Sequence, residues 1–344
     1  MKCLNEVNQL MNKSDIPYAK IAELAKVSPA TVSRAMKQPR LVKHETLRTI
    51  YQAIEELGGT LPDTAAPLLS NVRILALLPV LNNPFYTDLL AGIQDAAATS
   101  GCQLLIVNES LSHVNIQKIM QLIGAADISG VIIMEKVEDD VLELLCARTN
   151  VIQCSEFNES GMVSYVTIDN LNATKKLVRY LLSAGKKKIA IVNNDPGRFT
   201  YARLRQQGYL EILQQAGITP DPAHMIIVSD GRFSTAVSAV SAMLKSAPLP
   251  EAIFCVSDIM AAAALRACML ERLRVPQDIF IAGFDNVDIS VMTTPNITTV
   301  NQPRHDMGFM ACSQLLTAIT IPSDNTPQKF ILDTELILRE STDC

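Results

Sequence analysis

The chain has 344 residues, 48% of them apolar and 19% charged, with a formal charge of −5. At roughly 150 residues per domain this length calls for two or three units, and the apolar content gives each a core, which excludes a disordered chain. No stretch approaches the ~20 consecutive apolar residues of a membrane span. The start, MKCLNEVNQLMNKSD, lacks the apolar core of an export signal, and the eight cysteines include no CxxC pair, so a cytoplasmic protein with reduced thiols is expected.

Charge is unevenly spread. Residues 1–60 hold nine Lys or Arg against six Asp or Glu, leaving 21 against 29 for the rest, so the front carries +3 and the body −8. A basic head on an acidic body suits binding of a polyanion, although a solvated helical surface gives the same balance.

In chain order, residues 18–25 (YAKIAELA) place Ile21, Leu24 and Ala25 on one face of a helix that starts after Pro17. Lys26, Val27 and Ser28 form a turn. The next helix opens with Ser28 as N-cap and Pro29 at its first position, where a missing N–H costs nothing, and reads PATVSRAM. Val32 and Met36 face inward there, leaving Ala30, Thr31, Ser33 and Arg34 outside. A third helix over residues 45–57, with Leu47, Ile50, Ala53, Ile54 and Leu57 apolar, completes a trihelical core. Residues 59–71 follow Gly58 with two prolines and a short apolar face of Ala65, Ala66, Leu68 and Leu69, too short to hold a helix alone.

From Val72 short apolar runs (VRILALLP, CQLLIVN, VIIM, VIQC) alternate with helical patterns, and the alternation restarts at Val166 with IAIVNN, MIIVS, AIFCV and IFIAG. This predicts two lobes, each a parallel sheet with helices on both faces, with a ligand cleft at the strand carboxyl ends. Neither GxGxxG nor GxxxxGK[ST] occurs at a strand end, His44, His113, His224 and His305 follow no metal spacing, and no nucleophile has a neighbouring base. No catalytic residue, metal or cofactor is therefore assigned, and an enzyme is a poor second reading.

The string VSPATVSRAM resembles the recognition helix of the lactose-repressor (LacI/GalR) family of bacterial transcription regulators. Ordered blocks extend the resemblance through the body: NPFYTDLLAGI, TIDN, RQQGY, FCVSDIMAAAALRA, VPQDIFIAGFDNVDIS, ITTVNQP and TELILREST. It implies a helix-turn-helix domain at 1–58, a hinge at 59–71 and a ligand-sensing, dimerising body at 72–344. Lobe 1 is expected at about 72–166 and 297–322, and lobe 2 at 167–296 and 323–344. It also implies a repressor that binds double-stranded DNA at a near-palindromic operator and is controlled by a small effector, a sugar or a nucleoside; EFNESGMVSYVTIDN is somewhat like the nucleoside-responsive, cytidine-type branch. The competing reading is a cytosolic small-molecule binding protein or enzyme with a vestigial head.

By this resemblance Tyr18, Ser28, Pro29, Ala30, Thr31, Ser33 and Arg34 contact DNA. Arg34 suits guanine O6 and N7, Ala30 a thymine methyl, and Thr31 and Ser33 phosphates. Leu69 aligns with a minor-groove wedge. The effector set is Phe85, Tyr86, Glu156, Arg205, Phe233, Asp258 and Asp285. Phe85 and Tyr86 suit stacking or lobe core, and Glu156 and Asp258 suit either ligand binding or a helix cap. Three positions depart from the family pattern: Lys26 where Gly is usual, Lys43 where Ser or Thr caps the third helix, and Pro67 in place of a hinge Arg. The last segment, TELILRESTDC, carries no heptad repeat, so a homodimer rather than a tetramer is expected, with contacts through the helix after Pro84 and the helix over residues 260–273.

Overall fold

The computed structural model describes residues 16–37, 42, 44–57, 69, 71–246, 248–320 and 326–343. The expectations for Lys43 and for Gly58, Ala65, Ala66, Pro67 and Leu68 lie outside the described residues.

The head has three helices, α1 (Tyr18–Leu24), α2 (Pro29–Lys37) and α3 (His44–Glu56). Ser28 Oγ accepts the Thr31 N–H at 3.1 Å and Pro29 opens α2, so a side-chain cap and a preset φ fix where that helix starts. Ile21, Ala22, Ala25, Val32, Ala35, Leu47, Ile50, Ala53 and Ile54 form the core, with Met36 and Tyr51 packed against it. Two expectations are corrected. Leu24 is exposed because the inward face of α1 is centred on Ile21, Ala22 and Ala25, and Leu57 is exposed because α3 ends at Glu56. Lys26, in the turn, has φ +54°, the left-handed conformation in which a glycine carries no steric cost.

In the body, β1 (Arg73–Leu78), α4 (Phe85–Ser100), β2 (Gln103–Asn108), α5 (Ile116–Ala125), β3 (Gly130–Ile133), α6 (Asp139–Cys146), β4 (Asn150–Cys154) and β5 (Ser164–Ile168) build the first lobe. The second contains α7 (Asn170–Ser183), β6 (Ile189–Asn193), α8 (Thr200–Gln215), β7 (Met225–Ile227), α9 (Phe233–Ser246), β8 (Ala252–Cys255), α10 (Asp258–Leu270), β9 (Phe280–Asp285), α11 (Ile289–Met292) and β10 (Thr298–Asn301). Helix α12 (Arg304–Thr320) and β11 (Lys329–Leu332) return to the first lobe, and β12 (Glu335–Ile337) to the second. The six-stranded sheets have the orders β11-β5-β4-β3-β1-β2 and β12-β10-β9-β8-β6-β7. Central strands such as β6 and β9 are buried throughout, as parallel strands with both faces covered must be, which is why they read as unbroken apolar runs.

The expected lobe boundaries shift at each crossing. Strand β5 belongs to the first sheet through Ile168, β10 pairs with β9 (Thr298 opposite Ala282), and β11 pairs with β5 (Lys329 opposite Tyr165). The second crossing therefore falls after Asn301 rather than at 297, and the third after Leu332 rather than at 323; hydrophobic period does not say which sheet a strand joins. Nor is the second sheet wholly parallel, since β12 runs antiparallel to β10. All three crossings leave from a strand carboxyl end, which brings those ends of both sheets to the junction. In the first lobe α4 and α12 meet backbone to backbone at Gly92 and Gly308, where a Cβ would run into the carbonyls of His305 and Leu89.

Candidate functional site

Two surfaces carry the residues singled out from sequence. On the head, Tyr18 at the start of α1, Ser28 in the turn, and Pro29, Ala30 and Arg34 on α2 are exposed, and Thr31 and Ser33 are half-buried, while Val32 and Ala35 of α2 are buried. The Ser28 and Thr31 hydroxyls lie 2.8 Å apart at the N-terminus of α2, the positive end of the helix dipole, where a phosphate oxygen is favoured. Leu69, expected as the wedge, packs on the body. It is 3% exposed within the hydrophobic core of the body, and its carbonyl accepts the Val72 N–H at 2.8 Å.

The second surface is the junction of the lobes. From α8, Arg205 is buried; its Nε donates to Asn170 Oδ1 at 2.9 Å and its Nη1 to the Val256 carbonyl at 2.5 Å, with Asp285 Oδ1 at 3.5 Å. Its guanidinium lies 3.5 Å from the centroid of the Phe284 ring and 4.9 Å from that of Tyr201. Burial lowers the Arg205 pKa while Asp285 opposes the change. Asp285, at the end of β9, also accepts from Gln302 Nε2 at 2.7 Å, and burial pushes its carboxyl up to about 6 against the pull of Arg205 and Arg304.

The first lobe contributes Tyr86 at the start of α4. Burial first, then the charges of Glu156, Glu135 and Asp285, raises its phenol pKa. Phe85 is 8% exposed, belongs to the body core and meets Tyr86 edge-on at 5.5 Å, so of its two expected roles the structure assigns it core packing. Glu156 follows β4, and its oxygens accept the N–H groups of Thr200 (3.0 Å) and Tyr201 (2.8 Å). It thus holds the N-terminus of α8 from the opposite lobe, and burial pushes its carboxyl up to about 7. Thr200 Oγ1 donating to the Phe157 carbonyl (3.0 Å) and the Arg203–Glu159 pair (2.5 Å) add to this interlobe contact.

Of two further expected cleft residues, Asp258 is used otherwise. Asp258 is fully buried, accepting from Val287 N–H (2.8 Å) and Thr299 Oγ1 (2.6 Å), in space that exists because Gly283 has no side chain. It braces the turn after β9, and the cap of α10 is Ser257, which accepts from Met260 N–H. Phe233 is 42% exposed at the start of α9, and no ring contact among the described residues includes it.

Sequence reasoning missed several junction residues. Glu135, two residues past the end of β3, is buried and accepts from Ser110 Oγ (2.6 Å) and Leu111 N–H (2.7 Å); burial raises its pKa. Tyr201, whose hydroxyl donates to Asn194 Oδ1 at 2.6 Å, together with Asn170, Phe284, Gln302 and Arg304, was also missed. The signal available was position, since Gln302 directly follows β10 and Glu135 lies two residues past β3, both at strand carboxyl ends. The one potential metal-ligand group among the described residues, His113 with Glu138 and Asp140, is an exposed ion-pair cluster that sequence spacing did not signal.

A trihelical head of this kind followed by two α/β lobes around a polar, aromatic-lined junction defines a DNA-binding regulator with a sensing body. Residues 19–58 match the bacterial regulatory proteins of the lacI family, and residues 178–342 the periplasmic binding protein-like domain. The chain is 32% identical over 330 residues, 94% of its length and 95% of the relative, to the HTH-type transcriptional repressor CytR of Escherichia coli K12. It is 29% identical over 329 residues, 93% of this chain and 97% of the relative, to the ribose operon repressor of Haemophilus influenzae. Among solved structures, a complex of the transcriptional regulator CelR with cellobiose superposes with a TM-score of 0.73 at 26% identity, covering 95% of this chain and 99% of that one. The chain belongs to the lacI family of bacterial regulatory proteins: it is a transcription regulator, not an enzyme. Among the described residues, no helix is long and apolar enough to cross a membrane.

Proposed function

We propose that the protein is a cytoplasmic, homodimeric repressor that binds a near-palindromic operator and is controlled by a neutral, hydroxyl-bearing effector, a free sugar or a nucleoside, held at the lobe junction. The observation that carries the effector reading is the Arg205–Asp285–Gln302 group. Its donors and acceptors suit hydroxyls, and the half-buried Tyr201 ring beside Arg205 offers a face on which a sugar ring or a base can lie. Glu156, Glu135 and Asp285 all act on the junction, and this concentration of carboxylates disfavours a phosphate ester. Relatives point the same way, one being a ribose operon repressor and another a regulator bound to cellobiose.

The exposed face of α2 offers few base contacts, so two heads on adjacent half-sites are needed for specificity. Selection of sites from random duplexes, repeated over a salt series, tests the DNA reading; a two-fold motif is expected, and binding without sequence preference would overturn it. Thermal melting with D-ribose, cellobiose, cytidine and a sugar phosphate, followed by product analysis, tests the effector reading. A ligand at about 100 times its Kd adds roughly 2.7 kcal/mol, and turnover of any of them would favour an enzyme.

A further inference from the structure

Arg304 is the first residue of α12, so its charge sits at the positive end of that helix's dipole, where a cation is disfavoured unless other groups hold it. Such groups are present. Its side chain is 8% exposed; Nη1 donates to the backbone carbonyl of Asp285 and Nη2 to the carboxylate of Asp88, while Nε is buried with no partner among the described residues. The two acceptors belong to different lobes. Asp88 lies in the first turn of α4, two residues beyond Tyr86, and Asp285 ends β9 beside Arg205. The backbone that Arg304 grips is strained at Asp285, whose φ of +110° is a conformation that side-chain-bearing residues adopt only when their surroundings impose it, and Asn286 follows at +56°, a left-handed turn that Asn tolerates.

We propose that Arg304 is a positioning residue for the effector site. By holding the strained Asp285 carbonyl of the second lobe and Asp88 of the first at once, it sets the aim of the Asp285 carboxylate and the placement of Tyr86 together. A guanidinium suits this task because its fork directs separate N–H groups to two acceptors, one neutral and one charged; an ammonium cannot hold both in fixed geometry. A ligand that moves Asp285 therefore also moves α4. This rests on the effector reading for its purpose, but the linkage itself is measurable with no effector present.

The experiment is hydrogen exchange on the full chain without ligand. The N–H groups of Asn286 and Val287 are held by Thr299 and Asp258, so exchange at residues 284–287 reports on opening of the turn. Asp88→Asn changes a half-exposed residue on the other lobe and is expected to speed exchange there by about tenfold. Asp95→Asn removes the neighbouring α4–α12 pair with His305 (3.0 Å), which lies within one lobe, and should leave that exchange unchanged. As a second readout, carbon-detected titration of the Asp285 carboxyl should move up from about 6 in Arg304→Gln, since Arg304 favours the ionised form, and stay in place in Asp95→Asn. If Asp88→Asn exchanges within about twofold of wild type, or the Asp285 midpoint is unmoved in Arg304→Gln, the proposal is overturned. Should Arg304→Gln fail to fold, Asp88→Asn decides alone. Failure of every sugar and nucleoside to raise the melting temperature would remove the effector reading and leave this linkage standing.

Discussion

Glu156 offers the sharpest test of how the lobes hold each other. Its carboxylate receives two backbone N–H groups of α8 at 3.0 and 2.8 Å, yet burial pushes its pKa from 4.5 to about 7. The folded chain thus favours the protonated form more than the unfolded chain does. The stability tied to this group is whole below pH 4.5 and is lost as pH rises through about 7. The gap between those values corresponds to about 3 kcal/mol. In Glu156→Gln the titration disappears. The amide supplies one acceptor oxygen and sets its NH2 against the second backbone N–H, which costs about 1–3 kcal/mol at every pH. Urea unfolding of both full-length proteins at several values between pH 5 and pH 8 should therefore show wild type losing its advantage over the variant by up to about 3 kcal/mol as pH rises. Contributions from Asp258 and Asp285 are common to both proteins and cancel. Parallel pH profiles, or an advantage that grows with pH, would refute the reasoning.

Three further outcomes are expected. Lys26→Gly should stabilise the head by about 1 kcal/mol, because φ +54° strains a residue with a Cβ; the helical melting signal checks it, and Lys26→Ala should bring no such gain. Gly308→Ala drives a methyl into the Leu89 carbonyl on α4 and should cost the body ~3 kcal/mol, the upper end of overpacking penalties, read as a lower urea midpoint. Leu69→Ala should destabilise the body by about 2–5 kcal/mol, as for other buried leucines. An unchanged midpoint there would show that the body does not hold Leu69.

The parts legible in the sequence are those whose causes are local. Ser28 and Pro29 fix the start of α2 within two adjacent residues, and unbroken apolar runs betray β6 and β9 because covered parallel strands need them. What could not be read depends on partners far away in the chain. Asp258 lies three residues past β8 and Asp285 ends β9, both on the carboxyl side of the second sheet. One is enclosed by Gly283, Thr299 and Val287 and the other is shared by Arg205 and Gln302, and no local pattern separates them. Arg304 and Asp88, 216 positions apart, follow the same rule. The misplaced lobe boundaries have this origin too, since β10 and β11 have ordinary strand composition and only their hydrogen-bonded neighbours assign them to a sheet.

The interlobe bonds also bound what a controlling ligand must achieve. In this structure the loop after β4 holds α8 through Glu156, Phe157 and Glu159, and Arg304 bridges Asp285 to Asp88. A lobe movement that opens these contacts loses hydrogen bonds worth about 0.5–1.5 kcal/mol each, more where a charge takes part. Driving such an equilibrium from 1:99 to 99:1 takes about 5.5 kcal/mol of differential affinity, however tightly the ligand binds overall. A ligand touching one lobe alone has the same contacts in both arrangements and shifts nothing. At the effector site proposed above, Tyr86 and Glu156 from the first lobe and Arg205 and Asp285 from the second would supply the difference, because their relative positions change when the lobes move. On that proposal the sensing power of the body resides in residues that face one another across the crossings, and substitutions confined to one lobe's core should alter stability while leaving the ligand's preference between arrangements intact.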